Sequence, residues 1–126
     1  MSKVLITGIA GLLGSRLADW IINNTNYEVV GIDDLSGGYS ENINKKANFY
    51  KFNLKDLDAL EGVFKKEKIS IVYHFAAYAA EGLSPFIRKY NYENNLITSS
   101  NLITCSIEHG VDRFIFASSM AVYGDK

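Results

Sequence analysis

The sequence has little cysteine, almost no net charge and no long apolar run, and these shortages argue against several classes of protein. Its 126 residues include one cysteine and one proline, and 13 basic against 14 acidic side chains give a net charge of −1. A single cysteine excludes an internal disulfide framework, and balanced charge gives no indication of a nucleic-acid partner. No apolar run approaches the ~20 residues that span a bilayer. We therefore expect a soluble, cytoplasmic protein of one domain over residues 1–126, because domains typically contain ~100–200 residues.

Five short apolar segments alternate with helical patterns. The segments are residues 4–7, 28–33, 48–52, 69–75 and 113–117. Most lack alternation of polar and apolar residues, as strands buried on both faces do. Apolar residues recur at helical spacing between them, at Leu13, Leu17, Trp20 and Ile21, at Leu57, Leu60, Val63 and Phe64, and at Leu96, Ile103 and Ile107 within residues 92–109. This order predicts an α/β fold with a parallel sheet and helices on both faces.

Two helix boundaries have local signals. Asn53, with Asp56 three residues later, loosely resembles a capping box before the second helix. Gly110 predicts the end of the third helix. The polar residues 35–46, which include Gly37 and Gly38, predict a loop.

Three glycines lie between the first strand and the first helix. Gly8, Gly11 and Gly14 are spaced Gly-x-x-Gly-x-x-Gly, and Leu12 and Leu13 stand before the last of them. Glycine permits a tight turn, close approach of the backbone to a pyrophosphate, and close packing of helix on sheet. The helix start then offers free N–H groups to phosphates. A plain strand-to-helix turn is the alternative, but the position after the first strand favours a dinucleotide site.

An acidic residue follows at the end of the second strand. Asp33 comes 19 residues after Gly14, where a carboxylate accepts hydrogen bonds from the adenosine ribose hydroxyls. Asp34 is the second candidate for this role, and a cap or turn function is the alternative. A carboxylate also repels a 2′-phosphate, and no arginine lies between Arg16 and Arg88. The cofactor favoured by the sequence is therefore NAD rather than NADP.

Five segments in order resemble the extended short-chain dehydrogenase/reductase family, and within it the NAD-dependent nucleotide-sugar epimerases and dehydratases. They are residues 7–14, 31–36, 74–77, 94–95 and 118–124. The resemblance implies a Rossmann-type doubly wound parallel sheet, here of about five strands and truncated. It also implies that Phe75, Ala76 and Ala77 lie against the NAD cofactor. Ordinary packing at a strand end is the alternative for the two alanines.

The resemblance implies further roles for matched positions. Asn53 and Leu54 would flank the adenine, although the family usually has aspartate at the first of these positions. Asn95 matches an asparagine near the active site, and a buried structural hydrogen bond explains it equally well. Ser119 matches the serine or threonine that hydrogen-bonds the reacting sugar oxygen, and a turn serine is the alternative.

The family's proton-transfer pair, Tyr-x-x-x-Lys, is missing. None of the eight tyrosines is followed by lysine four positions later. Since the family carries this pair on a helix after the serine segment, we expect the chain to be the N-terminal, NAD-binding part of an enzyme and inactive by itself. Its full-length form would transfer a hydride between a sugar carbon and NAD.

Two alternatives and one partner follow from this expectation. A reductase of the same family and a non-catalytic dinucleotide-binding module are the alternatives, and a reading frame that continues into a Tyr-x-x-x-Lys helix would decide for the enzyme. A nucleotide sugar is the expected partner of the full-length form.

A homodimer would form through the helix at residues 92–109 or through the edge of the fifth strand, since an open apolar edge invites pairing.

Overall fold

The fold is built on one parallel sheet. The computed structural model describes residues 2–80 and 82–125. Its five strands stand in the order β3-β2-β1-β4-β5 and all pair in parallel, which confirms the predicted doubly wound arrangement. The chain order reverses beside β1, so the carboxyl ends of β1 and β4 open a crevice at that point. The strands are β1 (Lys3–Thr7), β2 (Glu28–Asp33), β3 (Asn48–Lys51), β4 (Ile69–His74) and β5 (Arg113–Phe116).

The helices connect these strands and match the predicted ones in number and order. The segment predicted at residues 92–109 begins four residues earlier, and a π-helical stretch (Tyr92–Ile97) joins its two α-helical parts. None of the described helices is long and apolar enough to cross a membrane. The α-helices are α1 (Leu12–Asn24), α2 (Leu57–Glu67), α3 (Arg88–Asn91) and α4 (Thr98–Glu108), and short 3-10 helices lie at Ser40–Asn42 and Met120–Tyr123.

Helices cover both faces of the sheet, as predicted. On one face, Ala18 and Ile21 of α1 pack in a buried cluster with strand residues such as Val4 and Ile6. On the other face, α2 and α4 bury their apolar residues against Leu5, Val30 and Val72. Because successive side chains of a strand point to opposite faces, the continuous apolar segments of the sequence serve both clusters.

The buried face of α1 differs from the predicted one. Leu13 and Trp20 are 63% and 59% exposed, whereas Gly14, Ala18 and Ile21 are buried. Gly14 has no room for a side chain beneath it, so α1 approaches the sheet through small residues and its larger side chains turn outward.

The apolar residues predicted to share one face of the helix at residues 92–109 also point away from the core. Leu96, Ile103 and Ile107 are all exposed, while Leu102 and Cys105 are buried. Burial, with a smaller contribution from nearby carboxylates, raises the pKa of the Cys105 thiol to about 11. Cys105 is therefore a packing residue of the core.

Of the two predicted helix boundaries, the capping box at Asn53 is wrong and the helix stop at Gly110 is confirmed. Asn53 does not cap α2, because its side chain accepts from Lys55 N, and Asp56 caps the helix by accepting from Ala59 N at 3.0 Å. Gly110 does end α4. It has φ +67°, and the bonds from Gly110 N to Ile107 O and from Val111 N to Ser106 O form a Schellman motif.

A buried carboxylate ties the amino ends of the strands together. Glu67 accepts hydrogen bonds from Lys3 at 2.7 Å and from Asn48 and Tyr50. Burial by itself would raise the pKa of Glu67, but the hydrogen bonds from Lys3 and Tyr50 outweigh it and hold this pKa below its ordinary value. These contacts stabilise the end of the sheet opposite the crevice.

Candidate dinucleotide-binding site

A cleft of about 260 Å³ lies at the carboxyl ends of the central strands. It collects segments that follow β1, β2, β3 and β4, together with the start of the long helical region. Most of the predicted cofactor residues meet there, although they come from four separate parts of the sequence. The lining consists of Gly8, Gly11, Ile32, Asp33, Asp34, Ser36, Gly37, Gly38, Phe52, Asn53, Leu54, Phe75, Ala76, Ala77, Tyr78, Tyr90, Asn94 and Thr98.

The glycine turn (Gly8–Gly11), which joins β1 to α1, forms the floor of this cleft. Gly8 has φ +72°, and a Cβ there would lie 2.9 Å from the backbone nitrogen of Ala76. A Cβ on Gly14 would lie 2.2 Å from the Gly8 carbonyl oxygen, and one on Gly11 would be 3.3 Å from the same oxygen. Side chains at Gly8 and Gly14 are therefore excluded, and the bare backbone allows the close approach of another group.

The two leucines of the motif lie at the start of α1 and have different surroundings. Leu12 lines a second cavity beside the cleft, together with Arg16 and Gly38. Leu13 lines neither cavity. The first four N–H groups of a helix have no intrahelical partner. Leu12 and Leu13 can therefore both contact a ligand through their backbone N–H groups.

Asp33 joins the end of β2 to the glycine turn. One carboxylate oxygen accepts from Ala10 N at 3.0 Å and the other accepts from Leu35 N at 2.9 Å. The residue is half-buried and lines the cleft. Because each carboxylate oxygen has two lone pairs, both oxygens keep the capacity to accept from a ligand hydroxyl.

Asp34 and Asn53 form a hydrogen-bonded pair at the β3 side of the cleft. The Asn53 amide donates to one Asp34 oxygen at 2.8 Å, and Ser36 donates its backbone N–H and its hydroxyl to the other. Partial burial by itself would raise the pKa of Asp34, but the hydrogen bonds from Ser36 and Asn53 outweigh it and lower this pKa. The pair is thus an ionised carboxylate beside an oriented amide.

Asn95 supports the cleft wall from behind. Its side-chain oxygen accepts from Tyr78 N at 2.7 Å, and its amide nitrogen donates to Tyr78 O at 2.9 Å and to the Asn91 side chain at 2.6 Å. It is not part of the lining. The structure therefore gives Asn95 the structural hydrogen bonds that were the alternative explanation for it.

Ser119 stands outside the cleft. It caps the short 3-10 helix by accepting from Ala121 N at 3.1 Å, and it is exposed. The structure does not bring it together with the lining residues. Among the residues that the structure describes, no three histidine, cysteine or carboxylate side chains are placed to hold a metal ion.

The sequence of the chain is similar to those of a known protein family. The family model of the NAD dependent epimerase/dehydratase family matches residues 4–126. The chain belongs to this family. It is 34% identical to UDP-glucose 4-epimerase of Drosophila melanogaster over 97% of its length, and 37% identical to dTDP-D-glucose 4,6-dehydratase of Dictyostelium discoideum over 98%. It spans 38% and 30% of these two relatives.

Solved structures of epimerases share the fold. UDP-glucose 4-epimerase of Thermotoga maritima, solved with UDP-glucose, is 36% identical with a TM-score of 0.94. The Thermus thermophilus enzyme, solved with NAD, is 32% identical with a TM-score of 0.88. The alignments cover 98% and 93% of this chain but 40% and 37% of those chains.

Part of the cleft in this epimerase/dehydratase chain was not predicted from its sequence. The loop after β2 closes over the glycine turn, and a Cβ on Gly38 would lie 2.7 Å from Ala10. Tyr78 and Tyr90 stack edge to face at the opposite side, with ring centroids 5.0 Å apart. The Gly37-Gly38 pair was a signal for the close approach, whereas nothing in the sequence indicated the tyrosine pair.

His74 was also missed as a component of the site. It is buried at the end of β4, where Thr7 lies at 2.7 Å from its Nδ1 and Ser99 at 2.8 Å from its Nε2. Burial lowers the pKa of His74 to about 4. The side chain is therefore neutral at physiological pH.

We expect the buried histidine to make the chain sensitive to mild acid. In the unfolded chain His74 has its ordinary pKa of 6.5, so below this pH it is protonated there, whereas in the folded chain it stays neutral. The free energy of unfolding therefore falls as the pH drops from 6.5 towards 4. Between pH 7.5 and pH 5 this term lowers the free energy of unfolding by about 2 kcal/mol. Urea unfolding at the two pH values measures it, and His74→Asn should remove it. An equal fall in both proteins would contradict the assignment to His74.

Proposed function

We propose that the cleft binds NAD and that the chain is the cofactor-binding part of a nucleotide-sugar epimerase of the UDP-glucose 4-epimerase type. The observation that carries the proposal is the side-chain-free backbone at Gly8 in the turn and at Gly14 in the first turn of α1, tied through Ala10 N to the carboxylate of Asp33. Backbone that is bare at the start of a helix suits a pyrophosphate, and a carboxylate at the end of the next strand suits ribose hydroxyls.

The cleft would hold the dinucleotide in an extended form. The pyrophosphate would lie on the glycine turn and the start of α1, including the backbone of Leu12 and Leu13. The adenosine ribose would bond Asp33, and the nicotinamide half would lie along Phe75, Ala76 and Ala77. NAD supplies hydride acceptance and return when bound, and these residues orient it and exclude water from one side.

The adenine would lie beyond the ribose, against Leu54 and the Asp34–Asn53 pair. Asn53 has a second amide hydrogen and Asp34 has a free lone pair after their mutual bond. One donor beside one acceptor complements the edge of adenine, which carries an amino group next to a ring nitrogen. This arrangement compensates for the aspartate that the family usually has at position 53.

The names of similar proteins support the substrate class. The relatives include UDP-glucose 4-epimerases and a dTDP-D-glucose 4,6-dehydratase, so a nucleotide sugar is the substrate proposed for the full-length form, with epimerisation ahead of dehydration or reduction. The cytoplasm is the proposed location. By itself the chain should bind NAD without converting a UDP-sugar, since its sequence has no Tyr-x-x-x-Lys pair. Ser119 would then act only in the full-length form.

Two further assignments belong to the proposal. A non-catalytic dinucleotide-binding module is the second candidate, and the exposed position of Ser119 outside the cleft favours it. A homodimer would use the exposed apolar residues Leu96, Ile103 and Ile107 or the β5 edge. Sedimentation velocity tests the dimer, and a monomer at every concentration would contradict it.

Calorimetric titration with NAD and NADP tests the proposed function. We expect NAD to bind with a Kd below about 1 mM, and NADP to bind at least about ten-fold more weakly. The 2′-phosphate would meet the carboxylates of Asp33 and Asp34, and no basic residue lines the described part of the cleft to offset them. Equal affinity for the two dinucleotides, or tighter binding of NADP, would contradict the placement of the ribose at Asp33.

A further inference from the structure

A chain of hydrogen bonds runs beneath the cleft from β1 to the π-helical stretch. Thr7 Oγ1 and His74 Nδ1 are 2.7 Å apart, and His74 Nε2 is 2.8 Å from Ser99 Oγ. The Ser99 hydroxyl in turn bonds the carbonyl oxygen of Asn95 at 2.6 Å. Thr7 and His74 are both buried. The chain therefore connects the residue before the glycine turn with the helix that supports the cleft wall.

The direction of each bond follows from counting hydrogens. Ser99 has one hydroxyl hydrogen, and it points to the Asn95 carbonyl because a carbonyl can only accept. Ser99 must then accept from His74, so His74 Nε2 carries the proton. In a neutral imidazole the other nitrogen is bare. His74 Nδ1 therefore accepts the single hydroxyl hydrogen of Thr7.

This direction leaves the lone pairs of Thr7 Oγ1 free for the cleft wall. The backbone N–H groups of Phe75 and Ala76 both point to this oxygen, at 3.1 Å and 3.2 Å. Phe75 N also bonds the Thr7 carbonyl oxygen at 3.2 Å. Within the described residues, Thr7 Oγ1 is the one acceptor found for Ala76 N.

Ala76 is the point where the two halves of the cleft meet. Its backbone nitrogen is the atom that a Cβ on Gly8 would approach to 2.9 Å. A loss of the Thr7 bond would leave this N–H without an acceptor at a tightly packed place, and the wall could then move away from the glycine turn. The geometry of the cleft thus depends on how the Thr7 hydroxyl is oriented.

We propose that His74 and Thr7 are positioning residues for the dinucleotide cleft: His74, protonated on Nε2, turns the Thr7 hydroxyl so that its oxygen holds Ala76 beside Gly8. This proposal rests on NAD being the ligand of the cleft. A residue that only filled space would need no particular tautomer, whereas this role requires a bare Nδ1 and a hydroxyl at position 7.

The first test measures the tautomer in the ligand-free chain. Long-range 1H–15N NMR spectra of the histidine ring should give a protonated Nε2 and an unprotonated Nδ1 for His74. The Ala76 amide hydrogen should exchange slowly with solvent, and Thr7→Val should accelerate its exchange by about ten-fold or more, because the half-buried N–H loses the acceptor that the structure shows for it. A proton on Nδ1 of His74 would overturn the proposal.

The second test uses matched variants in an NAD titration. Thr7→Val, which keeps the shape but loses the hydroxyl, should weaken NAD about ten-fold, whereas Thr7→Ser should bind within about two-fold of the parent chain. His74→Asn can still accept through its side-chain oxygen and should retain most of the affinity, and His74→Leu should not. Equal NAD affinity of Thr7→Val and Thr7→Ser would overturn the positioning role.

The two tests keep this proposal separate from the proposed function. If the parent chain does not bind NAD, the proposed function fails, while the tautomer and the Ala76 exchange rate still decide whether the hydrogen-bond chain holds the wall. If Thr7→Val does not fold, the comparison of His74→Asn with His74→Leu decides. Equal Ala76 exchange rates in those two variants would overturn the proposal.

Discussion

Replacing Gly14 with alanine should destabilise the chain by about 3 kcal/mol, at the upper end of the cost of overpacking, and should abolish NAD binding. The added Cβ would lie 2.2 Å from the Gly8 carbonyl oxygen and 2.8 Å from Ile9 Cα. Both are backbone atoms, so no side-chain rotation relieves the contact. Either α1 moves off the sheet or the glycine turn opens, and each outcome destroys the phosphate cradle. Urea unfolding and an NAD titration of Gly14→Ala measure the two effects.

Gly62→Ala is the matched control for this substitution. Gly62 lies inside α2, and a Cβ built on it meets nothing within 4 Å. Alanine in a helix interior is favoured over glycine, so this variant should gain about 0.5–1 kcal/mol and bind NAD normally. If Gly14→Ala kept the stability and the NAD affinity of the parent chain, α1 would not approach the glycine turn as described.

Replacing Asp33 with asparagine should weaken NAD binding about 30-fold, which corresponds to ~2 kcal/mol. Both carboxylate oxygens accept from backbone N–H groups, those of Ala10 and Leu35. An amide has only one oxygen, so its NH2 group must face a backbone donor and turn the side chain away. The charge-assisted bonds to the ribose hydroxyls are lost together with the link to the glycine turn. The NAD titration measures the loss.

Asp56→Asn tests whether the loss is specific. Asp56 caps α2 and is outside the cleft lining, and asparagine is an equally good cap. This variant should keep the stability and the NAD affinity of the parent chain. Asp33→Asn should also reduce the difference in affinity between NAD and NADP, because one of the two negative charges that repel the 2′-phosphate is gone. Unchanged NAD affinity in Asp33→Asn would place the ribose elsewhere.

The architecture and the glycine turn could be predicted because their signals are local. Apolar segments marked all five strands, and the spacing of Gly8, Gly11 and Gly14 marked the turn into α1. The buried face of α1 could not be predicted in this way. Hydrophobic periodicity assumes that large side chains fill the core, whereas here Gly14 and Ala18 are buried and Leu13 and Trp20 turn outward.

The polar contacts of the site could not be predicted because they depend on register. Thr7 and His74 meet because they are directly paired residues of β1 and β4, 67 positions apart. The bond of Asp34 to Asn53 similarly requires β2 and β3 to end side by side. Position 53 could be compared with the family pattern, but its partner was visible only once the strands were placed.

Mapping NAD binding residue by residue tests the central claim most directly. In a 1H–15N spectrum of the uniformly labelled chain, addition of NAD should shift the backbone amides of Gly8, Gly11, Asp33 and Ala76 together in a saturable way. The amide of Glu67, at the opposite end of the sheet, should not move. Shifts only elsewhere on the surface would contradict a dinucleotide site at the glycine turn. The absence of any shift at about 5 mM NAD would contradict it too, because this concentration detects a binding free energy as weak as ~3 kcal/mol.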